Sequence, residues 1–334
     1  MRAWWVEEPG PIASGPLRMG ERPDPSPGPR EVLLSVRACG VCRTDLHLAE
    51  GDLRPHAVGR IPGHEVVGEV VELGAGSSRF RLGERVGAAW LARTCGSCRF
   101  CLRGSENLCL TPAFNGWDTD GGYAELMVAH EEYVYPIPDV FSDEQAAPLL
   151  CAGIIGYRAL RCAGLPQGGR LGIYGFGGSA HLTAQMAIYD GARVYVMTRS
   201  AAAQELALEL GAEFAGPAEA DPPEPLDSAI LFAPAGGLVP IALRALDRGG
   251  TLAVAGIHLT DIPVLEYQTH LFQERHLRSV TANTRADGRE FLALAGSIPL
   301  RPTTVPYPWA KADQALLDLS LDRFTGAAVL LRSP

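Results

Sequence analysis

At 334 residues the chain is long enough for two domains of ordinary size, and 47% hydrophobic with 20% charged residues is the composition of a water-soluble globular protein. A net charge of −9 gives no field favouring phosphate backbones or anionic lipid, and no apolar run reaches the ~20 residues of a membrane span, so neither nucleic acid nor membrane is expected as a partner. The single lysine, Lys311, leaves Schiff-base chemistry one candidate near the C-terminus, and that chemistry is set aside.

The N-terminus, Met1-Arg2-Ala3-Trp4-Trp5-Val6, lacks the apolar core and cleavage site of a secretory signal, so a cytoplasmic location is expected. In that compartment the eight cysteines point to metal or catalytic thiols before disulfides. After an aromatic strand-like run, the proline repeat between Pro23 and Pro29 forbids helix and central strand and reads as a surface connection. Val32, Leu34, Val36 and Ala38 then alternate with Leu33, Ser35 and Arg37, the period of a half-buried strand.

That strand delivers Cys39-Gly40-Val41-Cys42-Arg43-Thr44-Asp45-Leu46-His47, which crowds a soft metal ligand, a hydroxyl, a carboxylate and an imidazole into six residues. Alone, Cys42 would read as a small buried hydrophobe. With Gly63-His64-Glu65 and Cys151 it completes a thiolate, imidazole and thiolate set, three protein ligands that leave the fourth tetrahedral position of a zinc ion open. Short apolar runs at 66–71 and 85–89 continue a β-rich unit.

Cys95, Cys98, Cys101 and Cys109 have the spacing C-x2-C-x2-C-x7-C in a segment made polar by Arg99, Arg103, Ser105, Glu106 and Asn107. Four thiolates so close can enclose one structural zinc, with an iron–sulfur cluster as the rival. Cys39 and Cys162 read as core thiols.

Near Ala146 the pattern changes to alternating β-branched and alanine/leucine-rich stretches, the signature of βαβ units, and a domain boundary is placed near Cys151. Strands are predicted at 171–174, 193–198, 228–232, 251–255 and 277–281, with helices at 178–190, 201–210 and 238–246. Gly211 is expected as a helix C-cap. The architecture is therefore α/β, a β-rich unit followed by a doubly wound parallel sheet.

Gly175-Phe176-Gly177-Gly178-Ser179-Ala180 fits G-x-G-x-x-G/A between a strand and a helix, the context of a dinucleotide-binding turn. The first glycine makes the turn, Gly177 admits the pyrophosphate to the backbone, Ala180 allows close packing, and the helix N-terminus favours phosphate. The acid that usually follows about 20 residues on, to accept the adenosine ribose hydroxyls, is missing. Thr198, Arg199 and Ser200 stand there instead and suit a 2′-phosphate, which favours NADP(H) over NAD(H). The bland alternative is that Arg199 merely begins a solvent-facing helix.

Taken together and in order, the Gly-Val-Cys-x-Thr-Asp-Leu-His segment, Gly-His-Glu, the four-cysteine lobe, Leu150-Cys151-Ala152-Gly153 and the glycine motif resemble the zinc-containing medium-chain alcohol dehydrogenases over essentially the whole chain. The resemblance implies a GroES-like catalytic domain over 1–150, to which 285–334 return, and a Rossmann NAD(P)-binding domain over 151–284, with the active site in the cleft between them. It implies two zinc ions per chain, the catalytic one on Cys42, His64 and Cys151 with Glu65 beside it. Asp45 would orient the imidazole, Thr44 contact the reacting oxygen, His47 pass the proton to solvent, and Arg43 face the cofactor pyrophosphate. Leu53, Trp90 and Trp117 fall where the family lines its substrate pocket. Near Gly326 the family commonly carries an arginine on the pyrophosphate, whereas this chain has Ala327 and Ala328.

The function implied is hydride transfer between a primary alcohol or aldehyde and NADP(H), in which zinc could draw an alcohol ionisation near 16 down to roughly 7. The resemblance also implies a homodimer or homotetramer. The competing readings are an NAD-dependent polyol or threonine-type dehydrogenase of the same fold, and a zinc-ribbon binding module. The complete cofactor motif and the lack of a basic patch argue against the module.

Overall fold

The computed structural model describes residues 1–332, which divide into two compact units, one of residues 1–151, 282–297 and 302–332 and the other of residues 152–281 and 298–301. The first is built on Glu31–Val41. This strand pairs antiparallel with Val66–Leu73, with Leu126–His130 and with the tail strand Ala327–Leu331, whose other edge takes Thr304–Pro308 in parallel. Arg85–Ala88 and Val134–Pro136 complete the sheet beyond Val66–Leu73.

Val32, Leu34 and Val36 point into one apolar core with Val66, Val70 and Val86. Each such side chain contributes about 1.5–3 kcal/mol when fully buried. The period of two predicts an exposed opposite face, yet Leu33 is buried too. Residues 143–150 pack across this strand, so it is central in the unit where alternation alone suggests a half-buried one.

The second unit holds six parallel strands in the spatial order Phe214–Gly216, Arg193–Met197, Arg170–Tyr174, Leu226–Leu231, Leu246–Val254, His276–Ser279. Strand order reverses between Arg170–Tyr174 and Leu226–Leu231, the switch point at which such sheets bind ligands beyond their carboxyl ends. The helices Gly178–Tyr189, Ala201–Glu209 and Leu238–Ala245 form where their alanine- and leucine-rich faces meet the sheet. Leu210, not Gly211, caps Ala201–Glu209, and Gly211 adopts the left-handed φ of +101° one residue later. That is where a glycine terminator belongs, because a Cβ is strained there. Among the described residues no single helix is long and apolar enough to cross a membrane.

Candidate active site

Cys42 follows the last residue of Glu31–Val41 and is the N-cap of the helix Arg43–Glu50. Its backbone N–H donates to Asp45 Oδ2 at 3.0 Å, as the third residue of a new helix commonly arranges. The other oxygen of the same carboxylate accepts from the Gly63 N–H at 2.9 Å and lies 3.2 Å from His64 Nδ1. Asp45 thus joins the two motifs, and it does so in the interior, with 2% of its side chain exposed.

Two glycines make that approach possible. Gly63 has φ +101°, and a Cβ there would meet Tyr123 and Cys39 at 2.6 and 2.8 Å. A Cβ on Gly40 would collide with the Glu65 carboxylate. The glycines of both motifs therefore serve packing around the site.

With Nδ1 turned to a carboxylate, His64 presents Nε2 as its second nitrogen, and this buried atom has no hydrogen-bond partner among the described residues. A polar atom left so in an interior costs about 1–3 kcal/mol. The sulfurs of Cys42 and Cys151, a nitrogen of His64 and an oxygen of Glu65 all lie within 4.8 Å of one another. Two thiols, an oriented imidazole and a carboxylate form a donor set that fits zinc, and the orphaned Nε2 is the atom such an ion would engage.

The electrostatics agree with that donor set. Cys42 is held well below the ordinary thiol range, first by a hydrogen bond from Cys151 and then, against desolvation, by His64. Cys151, as donor of that bond and buried, is pushed up. Burial opposes charge on His64, but Asp45 and Cys42 together more than offset it and the net direction is upward. Burial raises Glu65, and the nearby Cys42 charge raises it further.

Thr44 lies within the first turn of the helix, its Oγ1 3.8 Å from Cys42 Sγ, and the helix cap is Cys42 itself. His47, three residues on and on the same face, sets Nδ1 2.9 Å from Asp52 Oδ2. Arg43 is already engaged, with its guanidinium 2.5 Å from Asp322. Ala327 and Ala328, where the family's arginine is expected, are buried in the tail strand, with Ala328 opposite Val41.

Of the three pocket candidates, two converge. Trp90 meets the His64 ring edge-on, with centroids 4.9 Å apart at 72°, and lies nearly parallel to Trp117 at 6.1 Å. Phe114 stacks on Trp90 at 4.8 Å and sits 5.9 Å from Trp117, a member of the array that sequence reasoning missed because nothing in its neighbourhood marks it. Leu53 makes none of these ring contacts and donates its backbone N–H to the His47 carbonyl at 3.0 Å.

The cysteine lobe is equally assembled. Its sulfurs lie 3.5 Å (Cys95 and Cys109), 3.6 Å (Cys98 and Cys101) and 3.9 Å (Cys95 and Cys101) apart. Four ligands at a Zn–S length of about 2.3 Å would stand about 3.8 Å from one another in a tetrahedron. Backbone N–H groups of Cys98 and Cys95 point at the sulfurs of Cys95 and Cys109, both at 3.3 Å. Such bonds, led by those from Ser97 and Cys98, draw Cys95 down to about 6. A residue the spacing did not single out pins the lobe: buried Glu106 accepts from the Arg285 backbone at 2.6 Å and from its guanidinium at 2.8 Å.

In the second unit, Gly175 ends the first strand at φ +85°, and a Cβ there would lie 2.8 Å from Ala233. Only glycine makes this turn. Phe176 is buried, while the space a Cβ would take at Gly177 is open, and Gly177 caps Gly178–Tyr189, whose Ala180 is buried against the sheet near the more exposed Ser179. Thr198 is buried, whereas Arg199 is exposed and, among the described residues, has no charged partner. Ser200 Oγ accepts from the Ala203 N–H at 3.3 Å, so this hydroxyl has a capping task of its own.

Comparison with known proteins agrees with the motifs. The Alcohol dehydrogenase GroES-like domain profile matches residues 28–139. Over 99% of this chain and 97% of its own length, a probable alcohol dehydrogenase, AdhA, of Mycobacterium tuberculosis (strain CDC 1551 / Oshkosh) is 58% identical. Two solved structures superpose on nearly the whole chain. The cobalt- and zinc-bound thermostable alcohol dehydrogenase of Pyrobaculum aerophilum covers 99% of each chain at TM-score 0.90 and 27% identity. The cinnamyl alcohol dehydrogenase SbCAD4 of Sorghum bicolor covers 99% of this chain and 97% of its own at TM-score 0.89 and 26% identity. The protein combines a GroES-like domain with a Rossmann-type parallel sheet and belongs to the zinc-containing medium-chain alcohol dehydrogenase family.

Proposed function

We propose that the protein is a zinc-dependent dehydrogenase of primary alcohols that prefers NADP(H) and acts in reverse as an aldehyde reductase. The observation that carries this reading is the buried His64 Nε2, fixed in direction by Asp45 and orphaned beside two thiols. In this reading Cys42, His64 and Cys151 hold the catalytic ion with Glu65 beside it, and Cys95, Cys98, Cys101 and Cys109 hold a second, structural one. When bound, zinc supplies Lewis acidity that lowers a hydroxyl ionisation from near 16 to roughly 7.

The protein's own groups do the rest. Asp45 fixes the imidazole and keeps its second nitrogen turned inward. The Thr44 hydroxyl accepts the substrate proton at Oγ1 and passes its own on to His47, which, steadied by Asp52, releases a proton to solvent. Trp90, Phe114 and Trp117 offer apolar walls that exclude water. In the second unit the N–H groups at the start of Gly178–Tyr189 would hold the pyrophosphate of the cofactor. Thr198, Arg199 and Ser200 take the 2′-phosphate, Arg199 with its guanidinium unpaired and Ser200 while also capping its helix.

Alcohol-dependent nicotinamide reduction tests this reading. The wild type is expected to have the higher kcat/KM with NADP⁺. Arg199→Ala lowers that value about 10–100-fold, as loss of a charged hydrogen bond does, and leaves the NAD⁺ value within about two-fold. A clear wild-type preference for NAD⁺ removes the NADP assignment, and no hydride transfer with any alcohol or aldehyde removes the enzyme reading.

Assembly into a homodimer or homotetramer is part of the proposal. The edge strand His276–Ser279 is exposed along its length, with Val264 (92% exposed) and Tyr267 (61%) among the exposed apolar residues of the same unit. An uncovered edge of this kind is a template for pairing with another chain. Sedimentation at the mass of one chain would contradict it.

A further inference from the structure

His56 and Asp118 take no part in the proposed reaction, yet both are fixed against the aromatic residues beside it. His56 stacks on Trp117 with ring centroids 4.5 Å apart and an interplanar angle of 30°. Its Nδ1 lies 2.6 Å from Asp118 Oδ1. The second oxygen of that carboxylate accepts from the Phe114 N–H at 2.8 Å, and the Trp117 indole N–H donates to the Arg54 carbonyl at 2.9 Å. A segment without regular secondary structure, residues 51–60, is thereby tied at two points to the turn that carries Phe114 and Trp117.

These contacts lengthen the aromatic array that starts at His64. From the imidazole it runs to Trp90 at 4.9 Å, on to Trp117 at 6.1 Å, and ends on His56 at 4.5 Å. Trp90, Phe114 and Trp117 lie within 18° of parallel, so together they offer flat ring surface rather than a rounded aliphatic pocket. A short alcohol reacting beside His64 has Trp90 as its neighbour. A long planar one extends to Trp117, whose position depends on the stacking of His56 and the carboxylate tether behind it.

We propose that His56 is a specificity-determining positioning residue. Stacked on Trp117 and tethered by Asp118, it holds the outer part of the aromatic wall in place and makes the enzyme select extended planar aryl alcohols over short aliphatic ones. The inference rests on the proposed reading in placing the reacting carbon beside His64. Offset ring contacts of this kind contribute about 0.5–1.5 kcal/mol, enough for up to about a ten-fold effect on affinity.

The test compares ethanol with 3-phenylprop-2-en-1-ol in the full-length protein, and adds equilibrium binding of the unreactive 3-phenylprop-2-enamide followed by tryptophan fluorescence. His56→Ala is expected to raise KM for the aryl alcohol and Kd for the amide about ten-fold, leaving kcat and the ethanol KM within about two-fold. His56→Phe, which keeps the stack and loses the tether, recovers at least half of the loss. A wild type that does not bind the amide, an equal rise in both KM values, or no change in either overturns the inference. A wild type that binds the amide but oxidises no alcohol defeats the proposed reaction instead, and the amide affinity of His56→Ala still decides the role of the stack.

Discussion

Cys42→Ser is expected to purify with about one zinc ion per chain where the wild type carries about two, and to lose activity by about 10³-fold. The direction follows from the geometry, because Cys42 is one of only three nitrogen and sulfur donors in the set and the thiol held most readily as thiolate. A serine hydroxyl at the same place is a harder and far less acidic ligand. The magnitude corresponds to several kcal/mol of charge stabilisation, at 1.36 kcal/mol for each factor of ten. Metal analysis and single-turnover hydride transfer on the same preparations check it. Undiminished turnover in the variant takes Cys42 out of the mechanism, and loss of both ions would mean that the two sites do not load independently.

Cys98→Ser is expected to act on stability and to leave the first ion in place. The lobe between Cys95 and Cys109 has a 3-10 turn at Glu106–Leu108, one four-residue helix at Arg99–Leu102 and no buried residue in that helix. Closed metal sites supply the folding energy that so small a core lacks. The Glu106 and Arg285 pairing still anchors one end, so the variant should not unfold outright. A Tm lower by about 5–15 °C, with rapid proteolysis inside residues 95–109, is the expected result. An unchanged Tm together with a full complement of two ions would show that the four thiols do not act as one site, and a visible charge-transfer band in the wild type would favour the iron–sulfur rival.

Much of this site is legible in the linear chain. The spacing of Cys95, Cys98, Cys101 and Cys109 brings its ligands together within one loop, so local geometry nearly suffices to assemble it. The same holds for Gly175 to Ala180, where a strand, a turn that only glycine can make and a helix N-terminus are consecutive in sequence. Apolar runs between turn residues likewise locate the four inner strands of the parallel sheet, Arg170–Tyr174, Arg193–Met197, Leu226–Leu231 and Leu246–Val254. Short elements escape such reading. Phe214–Gly216, Leu91–Arg93 and Ala113–Phe114 are too brief to show a period, and pairing with a neighbour is what makes them strands.

Composition and spacing alone determined which chemistries the chain could carry: soft ligands in two groups, a glycine turn between a strand and a helix, a carboxylate and a hydroxyl within reach of a thiol, and a net charge of −9. Folding decided how those groups are used. It gave Asp45 three tasks at once, engaged Arg43 with Asp322, put the Ser200 hydroxyl on a helix end, and lined up Phe114 and His56 with two tryptophans. Periodicity records only which way a residue faces within its own element. The direction of a lone pair and the partner of a charge depend on atoms supplied by other segments, and those meet only when the chain is closed around them.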